Sequence, residues 1–208
     1  MKKVRLVVLA LVLAAMVGTA CLCIFAADAP SVKVMSANLS LQDNVYMYFS
    51  VAYDNVDTDK DTCGVIFWTA EQEDYTLEAA AGNAAAKIVA KPNSWRQDER
   101  LGKKLGVFTY GVSAKEMTDT LYVQAYAQVN GQTVYGTVIS YSPVIYAERK
   151  LGLVEGVAGT TDEKLKDLLV QMLRYGAAAQ VYFDYHTERL ATDILQGETL
   201  EYKAVAGG

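Results

Sequence analysis

The sequence predicts a mainly β fold: an antiparallel β-sandwich with a C-terminal α-helical segment packed on it. Three observations lead to this prediction. Apolar residues recur at every second position over much of residues 31–141, and Asn130-Gly131 separates two such runs. After Pro143 the apolar period changes to about 3.6 residues. Alternation is typical of half-buried strands, and the longer period is typical of an amphipathic helix.

The first element is an export leader. Lys2, Lys3 and Arg5 precede an almost unbroken apolar run over residues 6–27, and this order is typical of a secretory signal. The run exceeds the usual signal core of about 7–15 residues and approaches the length of about 20 that spans a bilayer. A cleaved signal peptide over residues 1–27 is therefore predicted, with a retained signal anchor as the alternative. Both place the rest of the chain outside the cytoplasm, as an extracellular or cell-surface protein.

Charge and cysteine content exclude several classes of function. The leader holds three of the 19 Lys and Arg residues and none of the 24 Asp and Glu, so the exported part has a net charge of −8. An acidic exported chain without a basic run is not expected to bind nucleic acid. Cys63 is the only cysteine outside the leader. No internal disulfide can form, and a buried structural role is predicted for this thiol.

Residues 28–142 are predicted to form the sandwich, of immunoglobulin-like or related type, because several short strands are separated by turn signals. The segment 44–53 alternates most regularly. Further strands are predicted at 32–41, 63–69, 86–90, 106–113, 121–129 and 132–141. Between them, Ser113 and Glu116 stand at the spacing of a capping box, which predicts a short helical turn.

The last two predicted strands form a hairpin. Asn130-Gly131 favours a two-residue turn with positive φ at both positions. The register that this turn imposes places Tyr126 opposite Tyr135 on one face of the sheet. It also places Val123 opposite Val138 on the face that belongs to the core.

Residues 143–196 are predicted to be the helical segment, and residues 197–208 a flexible tail. A short helix is expected over residues 144–153. Thr160, three residues before Glu163, predicts a capping box at the start of a longer helix.

This longer helix is expected to carry one apolar stripe from Leu165 to Phe183. Gly176 lies within it, although a mid-helix glycine costs about 1 kcal/mol relative to alanine. Close packing against a sheet or another helix is the predicted reason for this glycine.

Two motifs resemble an uncharacterised family of modules found in extracellular and surface-anchored proteins of gut clostridia, often beside anchoring or adhesion domains. They are Lys-Glu-Met-Thr-Asp-Thr-Leu at 115–121, followed by a Tyr-Val-Gln strand, and Met-Leu-Arg-Tyr-Gly-Ala-Ala-Ala-Gln at 172–180, followed by Tyr182-Phe183. The resemblance covers residues 32–195. It implies a sandwich-plus-helix module and no catalytic residue that carries over. The module is expected to stand alone behind its leader, which argues against a simple role as accessory to an attached enzyme.

Tyrosine is the most informative residue type, with 14 copies against 2 Trp and 5 Phe. Tyr122, Tyr126 and Tyr135 share one face of the predicted hairpin, and a flat ring with a polar edge suits both sugars and protein partners. A binding platform is one interpretation; cross-strand packing or burial beneath the C-terminal helix is the other. Trp95, in a polar segment, is a further candidate for an exposed contact or for a plug at the edge of the core.

The densest carboxylate cluster is a weak calcium candidate. Asp57, Asp59 and Asp61 match the opening of a calcium loop, but Thr62 replaces the glycine and Trp68 stands where the bidentate glutamate belongs. A solvated loop between strands is the favoured interpretation.

The only histidine, His186, is expected at a helix end on the surface. One histidine and one cysteine supply too few ligands for a zinc site, and no residue is identified to complete a catalytic centre.

No catalytic residue and no cofactor is therefore predicted. The preferred function is an exported, non-catalytic binding or adhesion module, with a polysaccharide or a surface protein as partner and membrane contact only through an uncleaved leader. The alternative is a structural or assembly module that docks through its C-terminal helix. An enzyme of unknown class is the third hypothesis.

Overall fold

The computed structural model describes residues 29–41 and 44–195. The predicted leader and the predicted tail lie outside the described residues. Within the described part, no helix is both long and apolar enough to cross a membrane.

The described residues form nine strands and three α-helices. The strands are β1 (Ser31–Leu41), β2 (Val45–Asp54), β3 (Thr62–Trp68), β4 (Ala86–Val89), β5 (Ser94–Asp98), β6 (Lys103–Val112), β7 (Leu121–Val129), β8 (Gln132–Tyr135) and β9 (Ile139–Tyr141). The helices are α1 (Leu77–Ala80), α2 (Pro143–Leu151) and α3 (Glu163–Tyr182), and Ala114–Glu116 and Asp193–Leu195 form 3-10 turns.

The strands form two antiparallel sheets. The first has the order β1-β2-β6-β5, and the second the order β4-β3-β7-β8, with β9 also pairing with β7. This is the strand order of an immunoglobulin-type sandwich with one additional edge strand, β4. The predicted mainly β sandwich with a C-terminal helix is confirmed.

The first core lies between the sheets. It is built from the alternate residues that β2, β3, β6 and β7 direct inward, including Phe49, Phe67, Phe108 and Val123, none of which is exposed to solvent. The rings of Phe49 and Phe67 lie 5.6 Å apart across the two sheets. Cys63 belongs to this core, so its predicted buried role is confirmed.

The second core joins the helices to one end of the sandwich. Met117, in the segment before β7, packs with Leu169 and Leu173 of α3, and Leu39 of β1 lies against them. A Cβ on Gly176 would lie 2.7 Å from the Sδ of Met117. The predicted close packing at this glycine is confirmed, and the neighbour is the 3-10 turn segment rather than a sheet.

The ends of the helices follow from local chemistry. Ser142 accepts a hydrogen bond from the amide of Ile145 at 3.1 Å, with Pro143 as the first residue of α2. Asp162, and not Thr160, caps α3: its carboxylate accepts from the amide of Lys164 at 3.0 Å. A carboxylate also interacts favourably with the positive end of the helix dipole, which a hydroxyl does less well.

The predicted hairpin turn is confirmed. Asn130 and Gly131 have φ values of 51° and 77°, and Tyr126 lies opposite Tyr135. A turn with positive φ at both central positions matches the twist of the flanking strands.

Further along this hairpin the predicted register is wrong. Val123 pairs with Ile139 and not with Val138, because the return strand is interrupted between β8 and β9. The interruption lies where β1 approaches: a Cβ on Gly136 would lie 2.6 Å from the carbonyl oxygen of Val32.

The sequence prediction also missed β5. Its five residues include a single large apolar side chain, Trp95, so alternation is too short to detect. The strand forms because β6 pairs with it along its whole length.

Candidate functional site

The predicted tyrosine platform lies on the outer face of the second sheet, and the chain itself covers that face. Residues 69–85, which connect β3 to β4 and contain α1, fold back over the sheet and form a third apolar core with it. Tyr126 is only 2% exposed. An exposed platform that includes Tyr126 is therefore wrong, and the cover is this connection rather than the C-terminal helix.

The covering contacts are specific. The ring of Tyr75 packs against Trp68 at 5.7 Å and against Tyr122 at 6.0 Å. The hydroxyl of Tyr135 accepts a hydrogen bond from the amide of Leu77 at 2.9 Å, at the start of α1. Burial raises the pKa of Tyr122 and the pKa of Tyr135 above the usual value of 10.0.

Gly64 makes room for Tyr126. A Cβ at this position would lie 2.5 Å from the hydroxyl oxygen of Tyr126, on the neighbouring strand β7. A glycine within an otherwise bulky strand often marks such a close approach. The sequence carried this signal, since Gly64 interrupts the apolar run of β3.

Trp95 lies at the edge of the first sheet. It is half-buried, its ring meets the edge of Tyr53 at 6.0 Å, and Gly106 lies opposite it on β6. The ammonium group of Lys104 sits 4.8 Å from the ring centroid. Trp95 therefore plugs the edge of the core, the second of its two predicted roles.

In the acidic loop that contains Asp57, Asp59 and Asp61, carboxylates accept hydrogen bonds from backbone amides of the same loop. The amide of Asp59 donates to Asp57 at 3.2 Å, and the amide of Asp57 donates to Asp61 at 2.9 Å. Lys60 forms an ion pair with Asp57 at 2.8 Å, and its hydrogen bond holds the pKa of that carboxyl below the usual value. Within the described residues, no three His, Cys, Asp or Glu side chains are grouped so as to hold a metal ion. The carboxylates stabilise a turn, and the geometry adds no support for calcium.

One cluster of ionisable groups surrounds Asp119, just after the 3-10 turn. The hydroxyl of Tyr185 donates to its carboxylate at 2.5 Å, and His186 and Arg189 approach the other oxygen at 3.6 and 3.9 Å. The hydrogen bond to Asp119 raises the pKa of Tyr185 to about 12. A pocket of about 280 Å³ lies beside this cluster, with Glu116 on its wall.

This cluster anchors the chain that follows α3 to the segment between the 3-10 turn and β7. Within the described part of the chain, the hydrogen-bond and ion-pair partners of His186 are the carboxylates of Asp119 and Glu188. The only described thiol, Cys63, lies in the first core, where burial raises its pKa to about 11. Nucleophilic catalysis needs a base within reach of the nucleophile.

The two motifs, residues 115–121 and residues 172–180, pack against each other. Gln180, at the end of the second motif, is fully buried and donates to the hydroxyl of Thr118, in the first motif, at 3.1 Å. It also donates to the carbonyl of Arg189 at 3.0 Å and accepts from the amide of Ala191 at 2.8 Å. The motif residues therefore join the helix, the 3-10 segment and the C-terminal turn. Their role here is structural, and sequence reasoning missed Gln180.

The outer face of α3 is unusually apolar. Nine large apolar side chains are exposed among the described residues. Five of these nine lie on α3 or directly after it. They are Leu168, Tyr175, Val181, Tyr182 and Phe183. The predicted single stripe from Leu165 to Phe183 is therefore wrong at its edges: Leu169 and Leu173 face the core, whereas Leu168 and Phe183 face solvent.

Three of these residues form a line along the helix, which we call the outer stripe. Leu168, Tyr175 and Tyr182 are separated by seven residues each, or about two helical turns. Their exposed fractions are 48%, 66% and 82%. The stripe spans about 21 Å at 1.5 Å per residue. The heptad spacing of these three residues is present in the sequence. It is hard to recognise there because the buried face of the same helix contributes apolar residues at neighbouring positions.

A groove runs beside the outer stripe, between α3 and the end of the sandwich. It has a volume of about 510 Å³, and Val45, Val112 and Met117 are among its apolar walls, with Leu168 and Tyr175 on its helical side. Leu168 and Tyr175 belong to both the stripe and the groove, and Asn44, Ser113 and Gln171 are polar residues of the groove lining.

Comparison of the chain with protein-family models, with curated proteins and with solved structures found no match.

Proposed function

We propose that this chain is an exported, non-catalytic binding module that docks on a partner protein through the outer stripe of α3 and the groove beside it. The observation that carries the proposal is the concentration of exposed aromatic side chains on one helix face. A soluble protein gains no stability from such a face unless another surface covers it. Export is supported by the basic and apolar pattern of residues 1–27.

The form of the surface favours a helix of the partner as the occupant. Side chains at heptad spacing present a straight seam, and apolar side chains of a second helix fit between them. An amphipathic helix that lies in an apolar groove is a common mode of recognition. Full burial of a large apolar side chain stabilises an interface by about 1.5–3 kcal/mol before the cost of association. Three such residues contribute about 4.5–9 kcal/mol before that cost, so micromolar affinity, about −8 kcal/mol, also requires contacts in the groove.

The aromatic residues at the end of the helix extend this surface. The rings of Tyr182 and Phe183 meet edge to face at 4.9 Å, and Lys115 lies 5.6 Å from the centroid of Phe183. Their perpendicular arrangement does not form the flat array that a sugar face would stack on. Tyrosine at the centre of an interface contributes a large contact area at low entropic cost.

The experiment places a photo-crosslinking amino acid at Tyr182 in the secreted chain, and at exposed Gln132 in a control chain. We expect a crosslinked partner at position 182 that is missing at position 132. The purified partner is then titrated against the unlabelled protein. Tyr175→Glu and Tyr182→Glu should each weaken binding at least tenfold, or about 1.4 kcal/mol.

Three results would contradict the proposal: equal crosslinking at the two positions, no crosslinked protein, or unchanged affinity in both variants. A crosslink between two copies of the chain would show that the surface binds a second copy and not a different partner protein. Sedimentation velocity would then detect the dimer directly.

Export is tested separately. The full chain is expressed in a bacterium that secretes proteins, and the culture fluid and membranes are analysed by intact-mass spectrometry. A product whose mass corresponds to a chain beginning near residue 28 supports cleavage. A full-length product in the membrane supports the anchor. A product confined to the cytoplasm would refute export.

A further inference from the structure

A second concave surface lies where the edges of the two sheets meet, beside β9, whose Ser140 pairs with Tyr122 of β7. It has a volume of about 560 Å³ and is bounded by β1, β9, α2 and the loop after α2. β1 and β9 are edge strands: within the described residues, each pairs on one side only. We call this surface the edge cleft.

The lining shows that the cleft runs along strand edges. Five consecutive residues of β1, 34–38, and all three residues of β9 line it. Side chains alternate between the two faces of a strand, so consecutive residues can line one cleft only where it follows the edge of the backbone. Such an edge presents backbone N–H and C=O groups that a further strand can pair with.

An irregularity in β1 shapes this edge. Val34 pairs with Val51 and Ser36 with Ser50, so Met35 is the additional residue of a bulge. Its side chain is exposed and lines the cleft. A bulge interrupts the regular edge of a strand and so hinders pairing with unrelated strands. Residues 36–38, which follow the bulge, can still pair with a strand that fits the cleft.

The charge of the cleft is opposite to that of the protein. Its described lining contains two basic residues, Arg149 and Lys150, and no Asp or Glu. Neither makes an ion pair within the described part of the chain, and the Lys150 ammonium lies 5.8 Å from the ring of Tyr146. The whole chain carries five more acidic than basic residues. A local positive site on an acidic protein selects anionic ligands.

From these observations we propose that the edge cleft binds an extended acidic peptide segment of a partner protein, which adds as a strand to the edge of β1. Its backbone pairs with residues 36–38, and its acidic side chains meet Arg149 and Lys150. Strand addition supplies affinity through backbone hydrogen bonds and selectivity through side chains at alternate positions. This site is independent of the outer stripe of α3.

The probe is a fluorescein-labelled peptide of eight alternating valine and glutamate residues, titrated by fluorescence anisotropy against residues 28–208. This segment retains all three apolar cores. We expect saturable binding that weakens with added salt. The Arg149→Glu, Lys150→Glu double variant should bind at least tenfold more weakly. Lys91→Glu, Lys164→Glu is the matched control, because it changes the net charge equally at exposed positions outside the cleft.

Three further ligands separate strand addition from plain charge attraction. A peptide with lysine in place of glutamate should not bind. A peptide with N-methyl groups on alternate residues keeps its charge but cannot form the ladder, so it should also fail. Backbone amides of residues 36–38 should exchange hydrogen more slowly when the unmodified peptide is bound.

The proposal is overturned if the methylated peptide binds as tightly as the unmodified one, or if the two double variants lose affinity equally. It is also overturned if no peptide binds, or if an oligogalacturonide binds at the cleft while the acidic peptide does not. The last result would assign the site to acidic sugars.

Discussion

Replacing Gln180 by alanine should detach the C-terminal turn from the rest of the fold. The side chain is fully buried and makes three hydrogen bonds, to Thr118, Arg189 and Ala191. In the variant, the buried amide of Ala191 and the carbonyl of Arg189 lose their partner. An unsatisfied buried polar group costs about 1–3 kcal/mol, and the space that the side chain leaves adds a cavity term.

We therefore expect Gln180→Ala to lower the free energy of unfolding by about 2–4 kcal/mol. For a domain of this size, that corresponds to a fall in Tm on the order of 10 °C. Urea unfolding monitored by tryptophan fluorescence measures the loss, and hydrogen exchange at Ala191 localises it. The control is Gln132→Ala, at an exposed position on β8, which should change stability by no more than about 0.5 kcal/mol.

A conservative substitution tests the mechanism. Gln180→Glu keeps the volume and an acceptor for the amide of Ala191, but it presents a carboxylate to the carbonyl of Arg189. If hydrogen bonding and not packing is what matters, this variant should be destabilised as strongly as the alanine variant at neutral pH. A loss below about 1 kcal/mol in Gln180→Ala, with unchanged exchange at Ala191, would refute the reasoning.

Three more predictions follow from other contacts. Gly136→Ala should destabilise the protein by about 1–3 kcal/mol in urea unfolding, because the new Cβ would lie 2.6 Å from the backbone oxygen of Val32; a neutral result would show that β1 moves freely. Tyr185→Phe should be less stable than the native protein at pH 7. The pKa of Tyr185 is raised in the folded state to about 12, so the contribution of its bond to Asp119 is complete below about pH 10 and is lost as pH rises through 12. The two proteins should therefore converge in stability in that range, and a constant difference in urea unfolding would contradict the assignment. Cys63, with a pKa near 11, should react with a thiol reagent at pH 8 roughly 100-fold more slowly in the folded than in the unfolded chain; equal rates would show that the first core opens readily.

Much of the architecture could be predicted because it depends on local patterns. Alternation in β2 and β7, the positive-φ turn at Asn130-Gly131 and the apolar period of α3 each act over fewer than about 20 residues. Short patterns of this kind determine which face of an element is apolar. They predicted the sandwich, the hairpin and the long helix.

The candidate surfaces could not be predicted in the same way. An alternating strand has two faces, and nothing within β7 states whether residues 69–85 will fold back over Tyr126. The same holds for α3, whose sequence contains both a buried face around Leu173 and an exposed stripe around Tyr175. Exposure depends on contacts between segments that are far apart in the chain, and periodicity carries no information about those contacts.

The sequence by itself determined the class of fold, the acidic charge and the prediction of export, because these depend on composition and on short-range periodicity. Only the tertiary structure decided which aromatic residues are exposed, and that Arg149 and Lys150 lie in a cleft beside two strand edges. It also showed that the two motifs meet through Gln180. The physical reason is the same in each case: burial and proximity are properties of packed pairs of elements, whereas a sequence pattern describes one element at a time.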